Sequence, residues 1–125
     1  DIFYHYGEER KARVIARKIC YWRTKERIVN SEQLVEIIAS CFSQKGNKHP
    51  ARKVFQALRI FINQELENLS QALEVALNHL ARNGRIIVIS YHSLEDRIVK
   101  QIFKKYASSH FQIITKKPLN PTQSE

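Results

Sequence analysis

Apolar residues at Ala12, Ile15, Ala16, Ile19 and Trp22 recur at three- and four-residue spacing, while Arg10, Arg13 and Arg17 line another face. This pattern predicts an amphipathic helix with one dry side and one basic side. Asn30 or Ser31 is placed to cap a second helix, whose apolar stripe is Leu34, Val35, Ile38, Cys41 and Phe42. Gln44-Lys45-Gly46-Asn47-Lys48 reads as a loop. The longest periodic segment starts at His49-Pro50, with Pro50 suited to a first turn. Its stripe runs through Val54, Leu58, Phe61, Ile62, Leu66 and Leu69, then Ala72, Leu73, Ala76, Leu77 and Leu80. Ser70 is a candidate cap between two helices, and Asn83-Gly84 ends the helical pattern.

After Gly84 the period changes. Arg85-Ile86-Ile87-Val88-Ile89-Ser90 is a β-branched run of the kind expected of a strand covered on both faces. A further helix follows, with Ile98, Val99, Ile102, Phe103 and Tyr106 on its apolar side, and Gln112-Ile113-Ile114-Thr115 reads as a second strand ended by Pro118 and Pro121. Helices alternating with buried strands predict an α/β class. Two strands do not make a protected sheet, so the pattern is that of the end of a doubly wound sheet whose other strands lie elsewhere.

Charge adds a polarity to this layout. The chain has 125 residues with 21 Lys+Arg against 12 Asp+Glu, a net charge of +9. Residues 1–59 hold 13 of the basic and 6 of the acidic side chains, and Arg10–Arg27 contains eight bases and one acid, Glu26. A second group, Lys45, Lys48, Arg52, Lys53 and Arg59, has no acid within it. Clusters of this kind are the footprint of a polyanion binder, although a single one is more often a solvated helix face. Tyr4, Tyr6, Tyr21 and Trp22 lie near the first cluster and are able to stack on unpaired bases, yet Trp22 also fits the core stripe. No apolar run approaches the ~20 residues of a membrane span. Cys20 and Cys41 form neither a disulfide framework nor a zinc set, which favours a reducing, cytoplasmic setting. The sequence has no methionine, and the expectation is a piece of a longer protein.

Ligands of open α/β sheets bind beyond the carboxyl ends of the strands. That position here is Ser90-Tyr91-His92-Ser93-Leu94-Glu95-Asp96-Arg97. Ser90, His92 and Ser93 offer donors and acceptors to a base, while Glu95, Asp96 and Arg97 can position one. Ser93 with Asp96 also fits a capping box, a purely structural use. Gln56, Arg59 and Asn63 share a helix face. They can bond a pyrimidine or a phosphate, or clamp the polar end of a neighbouring loop. Nucleotide-binding, esterase and metal-ligand motifs are missing.

Several of these pieces together resemble the bacterial small-subunit (16S) rRNA cytosine-N4 methyltransferase family. They are Tyr6-Gly7-Glu8-Glu9-Arg10 with Ile15-Ala16, His49-Pro50-Ala51, Phe55-Gln56-Ala57-Leu58-Arg59-Ile60 with Asn63 and Glu65-Leu66, Asn83-Gly84-Arg85, and Ser90 through Lys100. Order and spacing agree over nearly the whole chain. The chain departs at Arg52-Lys53, where Thr-Arg is usual, so no hydroxyl stands at position 52. It also departs at Tyr91, usually Phe, and at Asn83, usually Gly.

The resemblance implies a Rossmann-like methyltransferase core with a helical insertion. Residues 1–47 would belong to the insertion and residues 48–125 to the last part of the core. It implies S-adenosylmethionine as cofactor, held by glycine-rich and acidic segments that this chain lacks, and hence a chain inactive alone. Within that reaction Ser90 and His92, from their place after the first strand, are expected to line the base pocket. Arg10, Arg13, Arg17, Lys48, Arg52 and Lys53 would lie on the RNA phosphates, with Gln56, Arg59, Asn63 and Arg97 also on the substrate side. The partner would be small-subunit rRNA or the ribosomal subunit. Two competing readings are a free-standing basic RNA-binding module and a helical interaction domain, the latter with a defined homo-oligomer.

Overall fold

The computed structural model describes residues 1–43, 49–107 and 111–120. Its elements are α1 (Ile2–His5), α2 (Ala12–Arg23), α3 (Ser31–Ala39), α4 (Arg52–Asn63), α5 (Glu65–Asn78) and α6 (Ser93–Tyr106). No helix is long and apolar enough to cross a membrane among the described residues. The chain divides into two compact units, Asp1–Glu65 and Leu66–Glu125.

In the first unit α1 packs on α4 and α2 on α3. Ile15, Ile38, Ala51 and Val54 form the buried centre, with Phe3, Ile19, Leu34 and Phe42 against it. Burying such side chains contributes about 1.5–3 kcal/mol each. Gly7 permits the approach of α1 to α4. A Cβ there would meet the Lys53 carbonyl at 2.6 Å and the Phe3 carbonyl at 2.7 Å. The α2 stripe is dry from Ala12 to Ile19, but Trp22 is 42% exposed rather than in the core. Packing against the buried centre ends at Ile19, one turn before it.

The long periodic segment breaks earlier than its pattern predicts. Gln64 adopts a left-handed conformation (φ 51°) and ends α4, whereas Ser70 lies inside α5 and caps nothing. The buried face of α4 is accordingly Val54, Ala57 and Ile60, while Phe61 and Ile62 of the expected stripe face outward. Ahead of α4, Pro50 sits in the turn just before the helix, which starts at Arg52.

In the second unit Leu73, Leu77 and Ile102 are buried, and Ile98, Val99, Phe103 and Tyr106 pack around them as the stripe of α6 predicts. Lys105 Nζ donates to Glu74 Oε1 at 2.9 Å and ties α6 to α5. That bond and the Glu74 charge raise the Lys105 pKa above the ordinary lysine value.

The expected strands are the main difference from the sequence reading. Ile86 and Val88 pack on this core while Ile87 and Ile89 are 86% and 77% exposed, an alternation of period two. Neither this run nor Gln112–Thr115 forms a paired strand among the described residues. A run meant to be covered on both faces has one face covered here. The helix-rich part of the α/β expectation stands, and no sheet forms among the described residues.

Candidate functional site

The basic side chains of the first unit divide between those the fold uses and those it leaves exposed. Lys11 Nζ donates to the Cys41 carbonyl at 3.0 Å and lies 4.6 Å over the Phe42 ring; Lys18 Nζ donates to the Ser40 carbonyl at 3.1 Å. Both serve the carboxyl end of α3, where orphan carbonyls and the helix dipole favour cations. Lys53 Nζ donates to the Glu8 carbonyl at 2.8 Å. Arg10, Arg13, Arg17 and Arg52 are instead exposed and make no ion pair among the described residues. Arg13 and Arg17 are one turn apart on α2. Neither α2 nor α4 has an acid in its first turn or a side-chain cap, so both amino ends add to the positive field. Buried Glu9 partly offsets this by accepting the Lys11 N–H at 2.8 Å. Lys48 lies outside the described residues.

Arg59 and Asn63 converge on a carboxylate. Arg59 Nε is 2.8 Å from Glu65 Oε1 and Nη2 is 3.0 Å from Oε2, while Asn63 Nδ2 is 3.2 Å from Oε1. The partner is the first residue of α5 rather than a neighbouring loop, and the contact closes across the left-handed Gln64. Gln56, half-buried, takes no part in it.

In the second unit the start of α6 differs from the sequence reading. The cap is His92, not Ser93: its Nδ1 accepts the Glu95 N–H at 3.3 Å. Glu95 Oε2 accepts the Tyr91 N–H at 2.8 Å. Asp96 Oδ2 pairs with Lys100 Nζ at 2.7 Å, one turn further along α6. The same arrangement opens α3, where Asn30 accepts the Gln33 N–H at 2.9 Å and Gln33 Oε1 accepts the Val29 N–H at 2.9 Å. An N-x-x-Q pattern is a recognised cap signal, whereas H-x-x-E carries none.

His92 Nε2 is the group with chemical potential here. It is buried without a hydrogen-bond partner among the described residues, 3.4 Å from Glu95 Oε1. With Nδ1 accepting, the neutral ring carries its proton on Nε2, a buried donor whose nearest acceptor is the Glu95 carboxylate. Ser90 and Arg97 are both exposed beside it in sequence.

Comparison with known proteins decides the family. A sequence model of the MraW methylase family matches residues 1–125. The chain belongs to that family. Its relatives named ribosomal RNA small subunit methyltransferase H include one from Sulfurihydrogenibium sp., 46% identical over 129 residues covering 100% of this chain and 44% of the relative. That of Neorickettsia sennetsu is 47% identical and covers 100% of this chain and 43% of its own length. That of Endomicrobium trichonymphae is 48% identical with the same coverage, 100% and 43%. The chain thus spans less than half the length of these curated relatives.

A methylase of this family needs a methyl donor, and the described glycines test whether this chain cradles one. At Gly84 a Cβ would meet Leu80 Cδ1 at 2.7 Å and the Ala81 carbonyl at 2.9 Å. Gly7 is likewise filled by its own chain. Neither opens a cradle to a nucleoside cofactor. These residues do not by themselves fit S-adenosylmethionine.

Proposed function

We propose that the chain is the substrate-side part of an S-adenosylmethionine-dependent methyltransferase that modifies the exocyclic N4 of a cytidine in small-subunit rRNA. In this reading residues 1–47 belong to a helical insertion and residues 48–125 to the end of a Rossmann-like core, acting in the cytoplasm. Family membership supports the reaction class, and the buried Nε2 of His92, with no hydrogen bond closer than the Glu95 carboxylate at 3.4 Å, carries the assignment of the base pocket.

The chemistry sets the demands. A cytosine amine is a weak nucleophile because its lone pair is delocalised into the ring, so acceleration comes from positioning and from acceptors for its N–H groups. The base must first leave its stack. His92, held at the amino end of α6 by its Nδ1 bond, carries its proton on Nε2 and so donates in a fixed direction toward N3 or O2 of the base, while Ser90 Oγ supplies an acceptor for the amine. Arg10, Arg13, Arg17 and Arg52 hold phosphates, with Lys48 and Arg97 assigned to the same RNA. Lys53, Arg59 and Asn63 act through the fold that presents them. The chain alone is inactive in this reading, since no donor site forms from it.

The test is made in a full-length family member carrying this segment. Arg13→Glu with Arg17→Glu weakens binding to small-subunit RNA and lowers the slope of log affinity against log salt by about 2, near one for each phosphate that an arginine neutralises. An unchanged slope removes these arginines from the interface. Tight, salt-sensitive RNA binding without turnover by every full-length form would favour a binding module instead.

A further inference from the structure

A cavity of about 210 Å³ opens at the carboxyl end of α2, within the first unit, beyond the point where core packing stops. Trp22 and Ile37 give it apolar walls, and Glu26, Glu36 and Arg27 give it charge. Trp22 is 42% exposed, an unusual position for the largest apolar side chain in an otherwise well-packed helix pair. Glu26, Glu36 and Arg27 make no ion pair among the described residues. We propose that this cavity is a pocket for a single unpaired guanine of an RNA strand.

The inference rests on the reading of the chain as an RNA binder and adds a subsite to it, away from His92. Three features select the occupant. A flat indole at the mouth stacks a base. Neutral guanine is the standard base whose pairing edge presents two adjacent N–H donors, N1 and N2, to one carboxylate, and its O6 and N7 accept from an arginine. The surrounding unit is strongly basic, with Arg23 and Lys25 near the same end of α2, which draws a polyanion toward a cavity whose own lining carries two carboxylates and one guanidinium. The cavity has room for one base and not for a stacked pair.

Trp22 is the only tryptophan, so its emission reports this pocket alone. The experiment titrates the 125-residue chain with a uridine heptamer and with the same heptamer carrying one central guanosine. The guanosine strand should quench Trp22 and bind about tenfold tighter, the order expected for one stacked and hydrogen-bonded base. Inosine at the centre, which lacks the 2-amino group, should lose most of that preference, as should Glu36→Gln or Glu26→Gln at the carboxylate that takes the base. Equal, salt-sensitive binding of the two heptamers overturns the pocket and leaves the RNA reading intact. Quenching by a blocked arginine peptide but not by RNA overturns the pocket in favour of a protein ligand. No binding of either heptamer overturns both.

Discussion

Arg59 and Glu65 form a two-pronged ion pair, with Nε and Nη2 2.8 and 3.0 Å from the two carboxylate oxygens, across the one residue that separates α4 from α5. This pairing and the Asn63 amide reach across the left-handed Gln64 from the side-chain direction. Arg59 is over half exposed, so the pair is worth at most about 1 kcal/mol. Arg59→Ala should lower the thermal midpoint by a few degrees and leave RNA affinity within twofold. Calorimetry alongside filter binding separates the two effects, and a large loss of affinity would return Arg59 to the RNA surface.

Gly7→Ala should be far more damaging than its single methyl suggests. The new Cβ would press on two backbone carbonyls, of Lys53 and Phe3, and neither can swing aside as a side chain would. Overpacking of this kind costs about 1–3 kcal/mol. Urea unfolding should show a lower midpoint with an unchanged slope.

His92 has two nitrogens with two duties, and substitution can part them. His92→Asn keeps an acceptor at the cap position and should preserve stability, while His92→Ala should lose about 1 kcal/mol. Both should depress methylation in a full-length family member if Nε2 meets the base. Normal turnover in His92→Asn would reduce His92 to a cap.

Lys105 gives a pH signature. Its pKa is raised by Glu74, so the contact stabilises the fold below the unfolded lysine value, about 10.4, and that stabilisation is lost only as pH rises through the higher folded value. Lysine-selective NMR titration should find one ammonium group deprotonating late. Glu74→Gln should bring it back among the others.

Much of this architecture is legible in the residues because helical burial leaves a periodic trace. The stripe of α6 and the dry side of α2 follow directly from apolar spacing, while Ile37, buried on α3, lies outside the stripe expected there. The break at Gln64 is not legible, because glutamine carries no turn signal and the conformation is held by Arg59 and Asn63 reaching Glu65. The His92 cap escapes for a related reason: imidazole is a rare cap, and Ser93 next to it is a common one. Which basic side chains the fold itself uses is invisible in a charge count. It depends on which ammonium groups fall within reach of the carbonyls at Glu8, Ser40 and Cys41. Strand character at Arg85–Ser90 shows only as an alternation, since a ladder needs a second strand to exist.

That alternation has a practical consequence. Ile87 and Ile89 form an outward apolar row on a segment whose backbone groups find no ladder among the described residues. Such a row is a template for joining like chains, and the hazard grows with concentration. Purified alone, the chain should keep well when dilute and build β-rich aggregates when concentrated, with a rise in thioflavin emission. Replacing Ile87 with lysine should suppress that growth without touching the core.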